Sequence, residues 1–301
     1  MLHRRDRDLR TMANVKFVLI MSTLGRDEDV RRFLESLDRQ THRDFALYVC
    51  DQNDDDRLKA VLASFEGRFP ITVTTSAKGL SRGRNAALEL AGREAGGVTP
   101  DDCCIVFPDD DCWYDDPRLL EEVAAALQEN PALDGVTARS IDQDGVPSAR
   151  SSPDVEVEIT PSNIFVGSMA ISYCIFLRKP FVDAVGQFDE ALGVGAGTPW
   201  GAGEESDYLI RGLRAGRRLR YLPTLRVRHP RKDALSDAGR FMSYAMGHGR
   251  VLRKNGYSAA FLARDVVKAL GAFAVRSIGH RRLMVAYLAR AWGYVRGFAS
   301  T

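Results

Sequence analysis

The sequence predicts an α/β protein, with a mostly parallel β-sheet flanked by helices and followed by a helical C-terminal region. Three observations predict this class. Apolar runs of strand length alternate with amphipathic stretches of helical length through the first 140 residues. The apolar runs are nearly continuous, as expected for strands that are buried on both faces. In the last third of the chain the alternation gives way to apolar residues at helical spacing.

Strand and helix segments follow one another through the N-terminal half. Three apolar runs are predicted as strands: Lys16–Met21, Phe45–Cys50 and Cys103–Phe107. Ile71–Thr75 is predicted as a further short strand. Helices are predicted over Asp27–Arg39, Asp56–Phe65, Ser81–Leu90 and from Pro117 onward. Ligands of such sheets bind beyond the carboxyl ends of the strands. The segments that follow these ends are Ser22–Arg26, Asp51–Asp54 and Asp109–Asp111.

The second half is less regular. A hairpin or excursion is predicted at Ile141–Pro161 and a strand at Ala170–Leu177. A glycine-rich loop at Gly193–Gly203 leads into a predicted helix at Glu204–Ala215. Two short strands are predicted at Leu219–Leu222 and Leu225–Val227. The helical tail carries two apolar stripes, Leu262, Val266, Leu270 and Phe273, then Met284, Leu288, Trp292 and Val295. We therefore expect a disordered or alternative-start extension at 1–14, an α/β domain at 15–232 and a basic helical region at 233–301.

Composition indicates a folded, reduced, cytoplasmic protein. Of 301 residues, 45% are apolar and 27% are charged, which fits one large domain or one domain with an appendage. The five cysteines lie mostly in or beside apolar runs and form no Cys-x-x-Cys pair, so neither disulfides nor zinc are expected. No signal peptide is recognisable, and the longest uncharged stretch is too short and too polar to span a membrane.

The net charge of +2 conceals a strong asymmetry. Arg211–Thr301 contains 20 basic and three acidic residues, a net charge of +17. The other 210 residues carry 22 basic and 37 acidic residues, a net charge of −15. An acidic N-terminal part is typical of a cation or nucleotide site, and the basic tail favours an anionic surface.

Three adjacent carboxylates, Asp109–Asp111, follow a predicted buried strand. They repel one another at neutral pH unless a cation neutralises them, and oxygen ligands suit Mg²⁺ or Mn²⁺. The alternative is a solvated acidic turn before the next helix. His229, after a short predicted strand, is either a further metal ligand or a structural histidine.

Three further segments could take part in chemistry. Glu204 and Glu205 open a helix, whose dipole would keep Glu205 ionised as a general base requires, although acidic first turns are common without catalysis. Basic side chains at Lys78–Asn85 could hold a diphosphate, or the segment is an ordinary helix start. Asp51 could accept a hydrogen bond from a nucleobase or simply stabilise a turn. No P-loop or nucleic-acid motif is present.

These pieces, taken in order, resemble the family 2 glycosyltransferases and their GT-A fold. The matching stretches are VKFVLIMSTLGR, LYVCDQNDDD, KGLSRGRNAAL, IVFPDDDCW, FLRKPFVDAVGQFDEALG and GAGEESDYLIRGL, which span about 15–230. The resemblance implies a Rossmann-like catalytic domain that uses a nucleotide-diphospho-sugar and a divalent metal ion, Mn²⁺ or Mg²⁺.

The resemblance also implies a role for each matching residue. Nucleotide and donor contacts fall on Thr23, Arg26, Asp51, Arg82, Arg84, Asn85, Asp109 and Asp110. Metal ligands fall on Asp111, Asp109 and His229, and the catalytic acid pair is Glu204 and Glu205, of which Glu205 is the expected base. Trp200 and Asp207 are candidates for the acceptor side.

The sequence departs from the family pattern at three places. Ser-Thr-Leu-Gly-Arg follows the first strand where many relatives have Pro-x-Tyr-Asn. Pro108 stands where many have the first aspartate of the metal motif. Glu205 replaces the commoner aspartate and is one methylene longer.

The expected activity is inverting sugar transfer to an acceptor hydroxyl in cell-surface or exopolysaccharide assembly, with a carbohydrate or lipid-linked acceptor. The alternatives are a sugar nucleotidyltransferase and a non-catalytic nucleotide-sugar-binding scaffold on a membrane. The basic tail is expected either to contact the inner face of an anionic membrane peripherally or to pack on the catalytic domain or on a second subunit in a homodimer. No nucleic-acid partner is expected.

Overall fold

The computed structural model describes residues 15–94, 103–149, 151–231, 238–276 and 281–300. The predicted extension at 1–14 and the predicted boundary at 232/233 lie outside these residues, so the domain division stays a prediction. The described residues form two compact units. The sheet unit comprises the chain up to Ala77, Gly83–Gln187 and Leu209–Arg231, and the helical unit comprises Lys78–Arg82, Phe188–Tyr208 and the chain after Arg231.

The strands of the sheet unit confirm the predicted α/β class. In the described residues they are β1 (Phe17–Thr23), β2 (Phe45–Asp51), β3 (Ile71–Thr75), β4 (Cys104–Val106), β5 (Gly135–Ile141), β6 (Val157–Ile159), β7 (Ile175–Arg178) and β8 (Leu219–Arg228). They form one sheet in the order β3-β2-β1-β4-β7-β5-β8-β6. Strands β1 to β4 pair in parallel, as do β5 and β8, whereas β7 and β6 run antiparallel to their neighbours.

The centre of the sheet is built from the most apolar segments of the sequence. All seven residues of β1 are buried, and each pairs with its counterpart in β2, from Phe17 opposite Phe45 to Thr23 opposite Asp51. Because parallel strands end at the same edge, this register brings Thr23 and Asp51 side by side where ligands of α/β sheets bind.

Apart from one short helix at Lys179–Val185, the helices of the described residues lie in segments that are predicted as helical. They are α1 (Glu28–Asp38), α2 (Arg57–Ala63), α3 (Leu80–Glu94), α4 (Leu119–Glu129), α5 (Lys179–Val185), α6 (Glu204–Arg214), α7 (Ala238–Lys254), α8 (Ala259–Arg276) and α9 (Arg281–Ala299). In α1 the carboxylate of Asp27 caps the amide of Glu28, and Val30, Phe33 and Leu37 are buried. None of the described helices is both long and apolar enough to cross a bilayer.

Several element boundaries differ from the sequence prediction. The strand predicted at Ala170–Leu177 is a 3₁₀ turn at Ser172–Cys174 followed by β7. The two short strands predicted after Leu219 are one strand, β8, in which three residues have no partner in β5 between Leu222 and Arg226. Pro223 lies in this interruption, because it has no N–H to donate to the neighbouring strand.

The helical unit is held together by close backbone contacts between α7 and α9. A Cβ atom at Gly297 would lie 2.0 Å from the carbonyl oxygen of Met246, and one at Gly249 would lie 2.3 Å from that of Tyr294. A larger residue at either glycine would therefore force the two helices apart. The side of α9 that carries its small residues must face α7.

Candidate active site

The carboxylates that follow β4 lie beside an imidazole that is far away in the sequence. Trp113 and Arg228 exchange backbone hydrogen bonds of 3.0 Å, which joins the end of the aspartate segment to the end of β8. His229 follows immediately. As a result, ligand atoms of Asp109, Asp111 and His229 all lie within 4.8 Å of one another. The side chains of Asp111 and His229 are 4% and 7% exposed.

The orientation of His229 indicates that its free nitrogen faces a negative charge. Its Nδ1 lies 2.8 Å from the carbonyl oxygen of Pro230, which requires a proton on Nδ1. Its Nε2 lies 3.0 Å from Oδ1 of Asp111. In the neutral tautomer two lone pairs would face each other, so a proton or a cation between them is needed. Two ligands at right angles around Mg²⁺, each about 2.1 Å away, lie about 3 Å apart. These residues therefore fit a divalent metal ion.

Each member of this group is held by residues that the sequence analysis did not identify. The ring of Tyr173 stacks on His229 at 4.6 Å, and Ser172 donates a 3.1 Å hydrogen bond to Asp109. Arg32 donates to the backbone carbonyl of Asp111 at 3.1 Å. None of these contacts has a local sequence signal, because each joins residues at least 50 positions apart.

Arg84 supports Asp109 from the other side. Its guanidinium is fully buried and lies 2.7 Å from Oδ1 of Asp109. The neighbouring Gly83 explains how α3 comes so close, since a Cβ there would lie 2.0 Å from Oγ of Ser22 at the end of β1. Asn85, the next residue of α3, is also buried.

Arg26 provides a second positive charge at the aspartates. It lies 2.9 Å from Asp111, 3.2 Å from Asp110 and 2.8 Å from Asp29. Burial lowers the pKa of Arg26, but these carboxylates outweigh burial and the pKa is raised. Burial raises the pKa of Asp110 to about 6, even though Arg26 opposes that shift.

Two predicted nucleotide contacts occupy the ends of β1 and β2. Asp51 accepts hydrogen bonds on Oδ1 from the backbone and side-chain nitrogens of Asn53, at 2.9 and 2.8 Å. Thr23 is buried, and its carbonyl accepts from the amide of Gln52 at 3.0 Å. The turn chemistry expected after β2 is thus present, and it holds the Asp51 carboxylate in place at the sheet edge.

The acid pair lies at the start of α6, in the helical unit. Gly203 precedes it with a φ of +98°, a conformation that favours glycine. Glu204 is buried, and its Oε2 would lie 3.0 Å from a Cβ at Gly193 in the glycine-rich loop. Glu205 is half-buried. The first turn of α6 therefore presents one buried and one accessible carboxylate.

The other predicted residues of the helical unit have well-defined partners. Arg82 pairs with Glu190 at 3.1 Å. The Nε1 of Trp200 donates to Ser300 at 3.0 Å. Asp207 is fully buried and accepts hydrogen bonds of 2.9 Å from both Lys254 and Asn255. These contacts favour a structural role for Asp207, which the sequence analysis places on the acceptor side.

The sheet and its flanking helices have the fold of the GT-A class. The model of the family described as "Glycosyl transferase family 2" matches residues 18–186, which is more than half of the chain. The chain therefore belongs to glycosyl transferase family 2, as its motifs predict.

Solved structures of similar fold come from this class. Mannosyltransferase PcManGT from Pyrobaculum calidifontis, in complex with GDP-Man and Mn²⁺, superposes with a TM-score of 0.62 at 16% identity, over 97% of this chain and 92% of that chain. S. aureus TarS 1–349, in complex with UDP-GlcNAc, gives 0.61 at 15% identity, over 94% and 90%. No curated protein matches the sequence significantly.

Proposed function

We propose that the protein is an inverting, metal-dependent glycosyltransferase that moves a sugar from a nucleotide-diphospho-sugar to an acceptor hydroxyl. The observation that carries the proposal is the group formed by Asp109, Asp111 and His229 beyond β4 and β8. Family membership supports sugar transfer. The complexes of the structural neighbours with GDP-Man and Mn²⁺ or with UDP-GlcNAc support a nucleotide-sugar donor.

In this proposal Asp109, Asp111 and His229 would hold Mn²⁺ or Mg²⁺. When bound, the ion would offset negative charge on the departing diphosphate. Arg84 acts through Asp109, because its buried guanidinium fixes that carboxylate. Arg82 is the basic residue proposed to contact the diphosphate itself, and its side chain is 34% exposed. Asp51 meets the nucleobase, while Thr23, Arg26, Asn85 and Asp110 complete the donor contacts.

The proposed base is Glu205, with Glu204 as its buried neighbour. Glu205 takes the proton of the acceptor hydroxyl as that oxygen attacks the anomeric carbon. The bond from that carbon to the diphosphate breaks in the same displacement, so the configuration inverts and no covalent enzyme intermediate forms. The positive end of the α6 dipole favours the ionised carboxylate that this role needs.

We also propose a carbohydrate or lipid-linked acceptor in cell-surface or exopolysaccharide assembly, reached from the cytoplasmic side. The released product separates this proposal from a sugar nucleotidyltransferase, because transfer liberates a nucleoside diphosphate and nucleotidyl exchange liberates pyrophosphate. A non-catalytic scaffold would bind the donor without any turnover that depends on Glu205.

A thermal-shift panel of nucleoside diphosphates with Mn²⁺ should single out one base. A ligand that binds only the folded state stabilises it by RT ln(1 + [L]/Kd), so the preferred diphosphate gives the largest rise in Tm at equal concentration. Asp51→Ala should reduce the difference between bases, whereas Asp55→Ala, on an exposed turn, should not. Equal shifts for all bases would contradict the assignment of Asp51.

Ser172→Ala should weaken Mn²⁺ binding by about 10–100-fold, the usual effect of losing a partner that orients a metal ligand. The hydroxyl donates to Asp109 from the 3₁₀ turn, so its loss frees the carboxylate to rotate. Titration of Mn²⁺ followed by electron paramagnetic resonance measures the affinity directly. Ser162→Ala, on an exposed turn, is the matched control. Unchanged Mn²⁺ affinity in Ser172→Ala would show that Asp109 is fixed by Arg84 alone.

A further inference from the structure

The last helix exposes five large apolar side chains and buries small residues on its opposite side. The exposed face of α9, called here the α9 face, consists of Met284, Val285, Leu288, Trp292 and Val295, which are 38%, 56%, 47%, 60% and 40% exposed. The opposite side carries Ala286, Gly293 and Gly297, and a Cβ at either glycine would collide with α7. An ordinary surface helix has the reverse arrangement.

The residues of the α9 face lie on one side of the helix. Met284, Leu288, Trp292 and Val295 are spaced by four, four and three positions, which places them in one row along the axis. The helix before it adds two exposed apolar side chains, Val267 at 65% and Leu270 at 42%. Several large apolar side chains exposed together on one helix are typical of an interaction site.

The positive charge around this face favours an anionic partner. From Ala238 to Ser300 the sequence contains 11 basic residues and one acid, Asp265. That acid is 9% exposed and already bonded to His248 and Arg264. The α9 sequence itself has four arginines and no acid. A second copy of the same face would bring like charges together, whereas an anionic lipid surface complements both the arginines and the apolar row.

We propose that the α9 face is a docking surface for an anionic lipid bilayer. The helix lies parallel to the membrane plane, with Leu288 and Trp292 inserted at the boundary between headgroups and acyl chains. Arg296, an exposed residue one turn beyond Trp292, contacts a lipid phosphate. Tryptophan suits this depth because its ring is apolar and its N–H remains near water. The proposal goes beyond sugar transfer and does not depend on it.

Vesicle flotation with the full chain tests the proposal. The protein should float with vesicles of phosphatidylcholine mixed with phosphatidylglycerol, with affinity at least about tenfold above that for phosphatidylcholine alone. Raised salt should release it. The double variant Leu288→Gln/Trp292→Gln should lose binding. Val73→Gln, which changes an exposed apolar residue of the sheet unit, should not. All three substituted positions are exposed, so Tm should stay near wild type.

Three results would overturn the proposal. One is binding by the double variant equal to wild type, and another is equal binding to neutral and anionic vesicles. The third is a wild-type dimer in light scattering that the double variant converts to monomer while neither binds vesicles, which would assign the face to a second copy. Donor turnover measured without vesicles reports on the transferase proposal separately, because the α9 substitutions leave the carboxylate–imidazole group unchanged.

Discussion

Glu205→Gln is expected to lower kcat by about 10²–10⁴-fold, the usual contribution of general-base catalysis. The amide keeps the size and hydrogen-bonding reach of the carboxylate but cannot accept the proton of the acceptor hydroxyl. Donor binding should remain near wild type, because the proposed base does not contact the nucleotide. Steady-state transfer assays, combined with titration of the nucleoside diphosphate, separate the two effects.

The neighbouring acid provides the internal comparison. Glu204 is buried against the glycine-rich loop, so Glu204→Gln should act mainly on the stability of that loop and only weakly on kcat. Glu89→Gln, on an exposed part of α3, controls for loss of one negative charge. If Glu204→Gln abolishes transfer and Glu205→Gln leaves it intact, the roles within the pair are reversed.

Asp111→Asn should abolish transfer and weaken nucleotide binding in the presence of Mn²⁺. Asp111 lies 2.9 Å from Arg26 and 3.0 Å from His229, so its charge is central to the group. Metal stabilisation of a departing diphosphate is worth several kcal/mol, and its loss should reduce the rate by about 10³-fold or more. Excess EDTA should have the same effect on the wild type.

Mn²⁺ binding followed by electron paramagnetic resonance distinguishes loss of the ion from loss of the fold. Asp55→Asn is the matched control, because Asp55 is an exposed, ionised aspartate whose hydrogen bonds from Arg57 hold its pKa at about 2. Full activity in EDTA would refute metal dependence. Wild-type rates in both Asp109→Asn and Asp111→Asn would refute the assignment of these ligands.

Much of the fold follows from local patterns in the sequence. Continuous apolar runs identify β1, β2 and β4, because strands that are buried on both faces carry apolar side chains at successive positions. The 3₁₀ turn at Ser172–Cys174 is predicted as strand, because apolar residues flank it and no sequence signal marks its backbone hydrogen bond from Cys174 to Ile171. Strand β5 is not predicted from the sequence, because its residues GVTARSI mix polar and apolar side chains and form no continuous apolar run.

The candidate site is predictable only where its residues share a segment. Asp109–Asp111 are conspicuous after a strand. The proximity of His229 to Asp111 depends on the pairing of Trp113 with Arg228, which no local pattern encodes. Periodicity likewise identifies the apolar row of α9, but it does not show whether that row faces the protein interior or solvent. The glycines of α9 that pack against α7 decide this, and their role is clear only from the packing of the two helices.

The unpaired segment of β8 is a place where an insertion or deletion would change the active site. Side chains of a strand alternate between its two faces, so inserting or deleting one residue exchanges the faces of everything beyond it. A single insertion between Leu222 and Arg226 would bring Arg228 to the position of His229, replacing an imidazole with a guanidinium beside Asp111. A single deletion would bring Pro230 there, which has no side-chain nitrogen to face the carboxylate. Variants that keep the carboxylate–imidazole group should therefore keep the length of this segment.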